Sequence, residues 1–210
     1  MNIFNKNTAE IVLIIVFLLS LSACSNGNSL FVSGKGNSFT IENKELINQS
    51  LEDLLVKSLD LVNKDSKIED LKLEEVNTVD NLKVVSFIYN KEQNVYHGFM
   101  TAYKKSENEY EYSDIDTAQR QKDLPLSIIN YSGGLEGAVE RDLHIVSGFI
   151  NDSDIEKICF LYSDGRTNVI VLNDDKKTFT EVNIGNGAKL ETIIGVSDKN
   201  EIIYEKDYTK

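Results

Sequence analysis

Apolar residues in the segment 43–62 recur at the spacing of an amphipathic helix. The apolar stripe consists of Ile47, Leu51, Leu54, Leu55, Leu59 and Val62. Residues three or four positions apart lie on one face of a helix, so these side chains share a face. Asn43 is a suitable N-cap, and Glu45 falls in the first turn, where the helix dipole favours an acid. The pattern predicts one long helix over 43–62, ended by Asn63 and Lys64.

Runs rich in β-branched and aromatic residues follow the helix, with short polar turns between them. They cover Ile68–Val76, Leu82–Tyr89, Val95–Tyr103 and Tyr110–Ile115. Short strands joined by polar turns predict an antiparallel meander. Both alternation parities of Leu82–Tyr89 are apolar, so we expect this strand to be covered on both faces, with the helix on one of them.

The second half of the chain has only strand periodicity. Its candidate strands are Leu126–Asn130, Leu143–Ile150, Lys157–Tyr162, Asn168–Leu172, Thr178–Ile184, Leu190–Val196 and Glu201–Tyr204. Turns rich in Asn, Asp and Gly separate them, which is typical of a small β-sandwich. The polar segment 117–126 contains the sole proline, Pro125, and is the candidate boundary between the two halves.

These patterns together predict an α+β fold. One long amphipathic helix is expected to pack on an antiparallel meander, followed by a small all-β, sandwich-like module. We place the α+β module at 39–118 and the β-sandwich-like module at 126–210. A chain of this length accommodates one large or two small domains.

The N-terminal region carries an apolar run, Ile11–Leu21, of eleven residues. A membrane-spanning helix needs about 20 apolar residues, whereas the core of a signal peptide needs about 7–15 followed by small residues. The length therefore favours an export signal over residues 1–23. An ordinary secretory signal, or a membrane anchor with an incidental cysteine, remains an alternative.

Leu21-Ser22-Ala23-Cys24 closes this run and resembles the lipobox of bacterial lipoprotein precursors. The resemblance implies that Cys24 receives a diacylglycerol thioether and becomes the first residue of the mature chain. Acyl chains such as palmitate would then hold the protein on the extracytoplasmic face of the cell membrane. The leader departs from the family pattern in having a single basic side chain, Lys6. Residues 24–38 are rich in Ser, Gly and Asn, which favours a flexible tether.

Three segments of the second half carry another resemblance. Gly148–Asp152, Tyr162–Gly165 and Asp198–Tyr204 are similar to the C-terminal β-modules of small uncharacterised lipoproteins from low-GC Gram-positive bacteria. The segments consist mainly of strands and turns. The resemblance implies a fold and brings no activity, cofactor or site with it.

The formal net charge of −12 limits the possible partners. Nucleic acid requires a basic surface, and anionic lipid headgroups attract basic segments, so neither is an expected partner. The membrane is expected as a partner only through the lipid on Cys24.

Cys159 lies in an apolar stretch, where a free thiol behaves as a small hydrophobic side chain.

The motifs of common catalytic sites are missing from the sequence. The two histidines, His97 and His144, both lie in predicted strands, and no HExxH, GxSxG or SxxK pattern occurs. A triad can assemble from distant residues, so catalysis by either histidine stays open. The pattern favours packing roles for both, a non-catalytic protein, and no cofactor.

Acidic turns suggest a calcium hypothesis at Asp152, Asp154 and Glu156. These acids alternate as in a calcium-binding loop, but the glycine and the terminal glutamate of an EF-hand are missing. Asn and Asp are also the residues that turns prefer, so turn formation is the favoured interpretation.

Tyr110 and Tyr112 share one strand face and are candidates for a binding surface, with cross-strand packing as the alternative.

The sequence therefore predicts a lipid-anchored, extracytoplasmic protein with a non-catalytic binding or accessory role at the cell envelope. Its partner would be a protein or another envelope ligand. One alternative is an envelope-acting hydrolase with an unpatterned site. Another is a small-ligand carrier with a cavity between the helix and the sheet.

Overall fold

A computed structural model describes residues 37–38, 46–64, 66–135, 141–173, 175–185 and 187–210. The described residues form thirteen strands and one helix, α1, at Leu51–Val62. The strands are β1 Asn37–Ser38, β2 Ile47–Asn48, β3 Glu69–Val79, β4 Leu82–Lys91, β5 Asn94–Ser106, β6 Glu109–Gln119, β7 Leu126–Leu135, β8 Arg141–Ile150, β9 Lys157–Tyr162, β10 Thr167–Val171, β11 Thr178–Ile184, β12 Leu190–Val196 and β13 Ile202–Asp207. No helix in these ranges is long and apolar enough to cross a membrane.

Helix α1 is shorter than the apolar stripe predicted. It has 12 residues and begins after Ser50, whose side-chain oxygen accepts a hydrogen bond from the Asp53 amide at 3.1 Å. That bond satisfies an amide that has no partner within the helix. Ile47 and Asn48, expected inside the helix, form β2 and pair with β6 instead. Ile47 matched the helical stripe, but an apolar residue at one position fits a strand equally well.

The strands form three antiparallel sheets. Sheet A has the order β1-β6-β5-β4-β3, with β2 also pairing β6. Sheet B has the order β11-β8-β7, and sheet C has the order β10-β9-β12-β13. Strands that follow one another in the second half are therefore divided between two sheets.

Sheet A packs face to face on sheet B. Strand β5 contacts β8, β6 contacts β7, and β4 contacts β11. One buried cluster joins the two sheets, consisting of Leu82, Val84, Phe99, Ile129, Leu143 and Ile145. The other face of sheet A is covered by α1, whose Leu54, Leu55 and Leu59 join the buried side chains of β4, β5 and β6.

Sheet C covers the opposite face of sheet B. A second cluster joins Leu126, Val146, Ile150 and Phe179 of sheet B to Ile158, Phe160, Tyr162, Leu190 and Ile193 of sheet C. The rings of Phe160 and Phe179 are 6.0 Å apart between centroids. The layers therefore follow the order α1, sheet A, sheet B, sheet C, with sheet B buried on both faces.

The predicted α+β fold, with one long amphipathic helix on a meander, is wrong. The described part of the chain is mostly β, with thirteen strands and one short helix. The second half also does not make a separate two-sheet sandwich around its own core alone, because sheet B packs on sheet A as well. The cause is long-range strand pairing, which alternation along the chain does not specify.

The segment between β6 and β7, the candidate boundary, is fixed by Asn151. The Asn151 Nδ2 group donates hydrogen bonds to the carbonyl oxygens of Gln121 at 2.9 Å and Leu124 at 2.7 Å. Its Oδ1 accepts from Nε of Arg120. Residues 34–210 form one compact unit, and the division into modules at 39–118 and 126–210 stays a prediction.

Replacing Asn151 by Ala should lower the free energy of unfolding by about 2 kcal/mol, because two carbonyls and the Arg120 Nε–H lose their partner. Asn151→Asp should cost at least as much, because a carboxylate would then face those carbonyls. Urea unfolding followed by circular dichroism measures both effects. Asn173→Ala, at an exposed turn position, is the matched control. A change below about 0.5 kcal/mol in both Asn151 variants would contradict this role.

Candidate functional site

His97 is sealed between sheets A and B. It lies on β5 on the same face as Phe99, and its ring centroid is 6.4 Å from that of Phe149 on β8. The side chain is only 1% exposed, and neither ring nitrogen has a hydrogen-bond partner among the described residues. Burial lowers the pKa of His97 to about 4, so the ring is neutral near pH 7. A solvent-borne substrate cannot reach this imidazole in the described conformation.

Asp116 lies on the same face as His97, on the neighbouring strand β6. Because Phe99 pairs with Asp116 and His97 pairs with Ala118, the two polar residues are diagonal neighbours. Asp116 is 5% exposed, and no described residue forms a hydrogen bond with its Oδ1. Burial raises the pKa of Asp116 to about 6, opposed by a hydrogen bond from the Thr117 amide and reinforced by the charge of Asp114.

Small hydroxyl side chains complete this end of the interface between sheets A and B. They are buried, face the opposite sheet, and comprise Ser86, Ser127, Ser147, Thr178 and Thr180. We call these five residues, with His97 and Asp116, the polar belt. Two aromatic side chains lie among these residues, because Phe99 pairs with Ser86 and Asp116, and Phe149 pairs with Ser127 and Thr178.

His144 lies on the opposite face of sheet B and belongs to a second polar group. Its Nε2 lies 2.6 Å from Oδ1 of Asn130, and burial lowers the pKa of the ring. On the adjacent strand, Glu181 Oε1 accepts hydrogen bonds from Nδ2 of Asn168 at 2.5 Å and from the hydroxyl of Tyr162 at 3.4 Å. Burial raises the pKa of Glu181, opposed by these two hydrogen bonds.

Arg166 covers the same group from the solvent side. Its guanidinium is 5.5 Å from the ring centroid of Tyr162, its Nε is 2.6 Å from Asp164, and its Nη1 donates to Asn183 at 3.4 Å. The carboxylate of Glu181 is therefore held by protein donors beneath a cation. Protein donors already occupy Glu181, and this favours a structural hydrogen-bond network over a general base.

Tyr110 and Tyr112, the candidate binding-surface residues, both lie on β6. Their side chains are partly buried and pack against the apolar cluster beneath α1. Burial, followed by the charge of Asp114, raises the pKa of Tyr112. The structure thus places part of each ring in the core, and a binding role for the exposed remainder stays a prediction. The same cluster fills the space between helix and sheet where a carrier would need a cavity.

The calcium candidates do not converge in the described residues. Oδ1 of Asp152 accepts a hydrogen bond from the Asp154 amide at 2.9 Å, which is turn formation. Glu156 lines a pocket of about 100 Å³ whose lining also includes Lys176 and Lys177. No group of three or more His, Cys, Asp or Glu in the described ranges is arranged to hold a metal ion. The geometry of the described residues therefore brings no set of calcium ligands together.

The outer face of sheet C carries an exposed apolar surface that the sequence interpretation did not single out. Val169 on β10 pairs with Cys159 on β9, which pairs with Ile194 on β12. In the next row, Val171 pairs with Lys157, which pairs with Val196. We call Cys159, Leu161, Val169, Val171 and Val196 the outer patch. Ile194 is buried at 5% exposed and is not part of it, and Lys157 lies between Val171 and Val196. Val169 is 52% exposed and Val171 65% exposed, the largest values among the exposed apolar residues of the described chain.

Strand β10 is also an unprotected sheet edge. The Tyr162 amide donates to the Arg166 carbonyl, and the Leu172 amide donates to the Glu156 carbonyl. Since alternate residues of an antiparallel strand bond the same neighbour, the main-chain groups of Thr167, Val169 and Val171 point away from β9. The strand contains no charged residue or proline, the usual protection of an edge. The sequence shows Val169 and Val171 at alternate positions of a strand. It does not show whether another layer covers the outer face of sheet C, and their exposure depends on that.

Of the two cysteines, Cys159 lies among the described residues and Cys24 does not. Cys159 is partly buried on β9, and burial raises the pKa of its thiol, which fits a packing role. Cys24, the proposed lipidation site, lies outside the described residues.

Comparisons with protein-family models, with curated proteins and with solved structures gave no match.

Replacing Asp116 by Asn should stabilise the protein above pH 6 and have little effect near pH 4. The folded protein holds the Asp116 proton with a pKa of about 6 against an ordinary value of 3.8. Stability from this group is therefore fully present below pH 3.8 and is lost as pH rises through 6. The expected gain at pH 8 is on the order of 2 kcal/mol.

The measurement is urea unfolding of wild type and variant at pH 4.5 and pH 8. His97 and Tyr131, which face Asp116, are common to both proteins, so their titration cancels in the difference. Asp198→Asn, at an exposed turn, is the control and should show no pH-dependent gain. An Asp116→Asn variant that is less stable than wild type at pH 8 would refute the assigned environment.

Proposed function

We propose that this chain is a lipid-anchored, extracytoplasmic accessory protein that binds a protein partner at the cell envelope without catalysing a reaction. The lipobox-like Leu21-Ser22-Ala23-Cys24 supports the anchor. The outer patch supports the binding role, and it is the single observation that carries the proposal. Contiguous apolar surface on the outside of a β-layer is costly to expose and commonly marks a protein interface.

The chemistry of the outer patch limits the kind of partner. Its five members are apolar side chains or a thiol whose pKa burial raises, and one cation, Lys157, lies among them, although the chain as a whole has a net charge of −12. Burial of such a surface is driven by the hydrophobic effect and depends little on salt. A protein with apolar residues on a flat or extended face fits this surface better than a polar glycan or a nucleic acid.

The environment of the histidines supports a non-catalytic role. His97 is enclosed between two sheets, and His144 contacts the side chain of Asn130. Each of these placements has a packing or hydrogen-bonding explanation. The envelope-acting hydrolase therefore has no specific observation in its favour.

A photo-crosslinking side chain at position 171 should form an adduct with an envelope protein in intact cells, because Val171 is the most exposed residue of the outer patch. The same side chain at Glu107, in the exposed turn between β5 and β6, is the control and should not form that adduct. Electrophoresis and mass spectrometry of the adduct identify the partner.

Two variants at position 169 sharpen this test. Val169→Asp should reduce the adduct formed from position 171 at least tenfold, because a charge would be buried in the interface. Val169→Thr keeps the strand geometry and should largely preserve it. Equal adducts from positions 171 and 107, or no effect of Val169→Asp, would refute the outer patch as the binding surface.

Labelling with radioactive palmitate tests the anchor separately. Wild type should incorporate label and fractionate with membranes, whereas Cys24→Ala should lose the label entirely. The second cysteine of the chain offers a matched control, since Cys159→Ala should retain it. Equal labelling of wild type and Cys24→Ala would remove the lipid anchor from the proposal.

A further inference from the structure

The polar belt contains buried polar atoms that have no hydrogen-bond partner in the part of the chain that the structure describes. They are both ring nitrogens of His97, Oδ1 of Asp116, and the hydroxyl oxygens of Thr178 and Thr180. Each of these side chains is at most 6% exposed. A buried polar atom without a hydrogen bond costs about 1–3 kcal/mol, and five such atoms would consume much of the 5–15 kcal/mol that stabilises a typical domain.

Large side chains separate the members of the polar belt within each sheet. Phe149 pairs with both Ser127 and Thr178, and Phe99 pairs with both Ser86 and Asp116. The unsatisfied atoms therefore lie beside bulky rings in a close-packed interior, so a molecule that bonds to them has to be small.

The five atoms are spread over several strands. Asp116 lies on β6 and His97 on β5, whereas Thr178 and Thr180 lie on β11, which packs on β4 and β3. Adjacent strands are about 4.8 Å apart, so the atoms at the two ends of the belt are separated by about 10 Å or more. A single small molecule cannot bond to all of them.

We propose that the polar belt is an internal water-binding site, in which at least two ordered water molecules bridge sheets A and B. Water fits the chemistry because it donates to the Asp116 carboxylate and to the unprotonated nitrogen of neutral His97. It also accepts from the protonated nitrogen and exchanges hydrogen bonds with the threonine hydroxyls. The waters join polar atoms of the two sheets beside the buried rings of Phe99 and Phe149. This site is independent of the outer patch and of the lipid anchor.

Thr→Val substitution should lower the stability of the protein if water is bound to the threonine hydroxyl, and should raise it if the hydroxyl is unbonded. Valine has nearly the shape of threonine but lacks the hydroxyl. If water satisfies the hydroxyl, Thr180→Val and Thr178→Val each break a bridge, and the folding equilibrium constant falls about fivefold. If the hydroxyl is unbonded, each change removes an unsatisfied group and the constant rises.

The experiment combines urea unfolding with detection of the water itself in the full chain. Magnetisation transfer from long-lived water to amides of β8 and β11 should be observed by NMR and should weaken in Thr180→Val. Thr192→Val, on the outer face of sheet C, is the control and should leave both measurements unchanged. Stabilisation by both belt substitutions, or no transfer from water in wild type, overturns the proposal.

Discussion

The structure depends on a central sheet that has no solvent-facing side. In β8, Ile145, Ser147 and Phe149 face sheet A, whereas Val146, Gly148 and Ile150 face sheet C. Gly148 shows how tight this layer is, because an added Cβ would lie 2.3 Å from the ring of Phe179. Glycine at that position lets Phe179 lie across the sheet and contact Phe160. Both outer sheets and, through sheet A, the helix are positioned by this layer.

The two interfaces of sheet B distribute polarity differently. Toward sheet C, the polar groups sit at one end, where the Tyr162 hydroxyl donates to Glu181 and the Arg166 guanidinium lies over the Tyr162 ring. Toward sheet A, they are enclosed and include two titratable groups whose pKa values burial shifts in opposite directions. Between about pH 4 and pH 6, rising pH strengthens folding through His97 and weakens it through Asp116. The two effects therefore act on stability in opposite directions over this range.

Local patterns predicted the strands well and their partners poorly. Lys157–Tyr162, Thr178–Ile184 and Leu190–Val196 were predicted with the bounds they have in the structure, because alternation and Asn, Asp or Gly turns mark both ends. The insertion of β12 between β9 and β13, and the pairing of β11 with β8, were not predicted. Such pairings depend on contacts between distant segments, which single-strand periodicity does not encode.

The candidate sites show the same difference between local patterns, which the sequence reveals, and long-range packing, which it does not. Residues 94–106 carry Phe99 and Met100 at adjacent positions, so alternation did not reveal which face His97 occupies. The burial of Asp116 depends on the packing of β6 against β7, which no local signal indicates. The turn chemistry of Asp152 was predictable, because an Asx turn is a local interaction.

The layer order also separates β1, the first described strand, from the outer patch. Strand β1 pairs with β6 at the edge of sheet A. The outer patch lies on the far side of sheet C, two inter-sheet spacings or about 20 Å away. A partner bound at the patch would therefore leave the edge of sheet A uncovered, so the two surfaces could be occupied independently of each other.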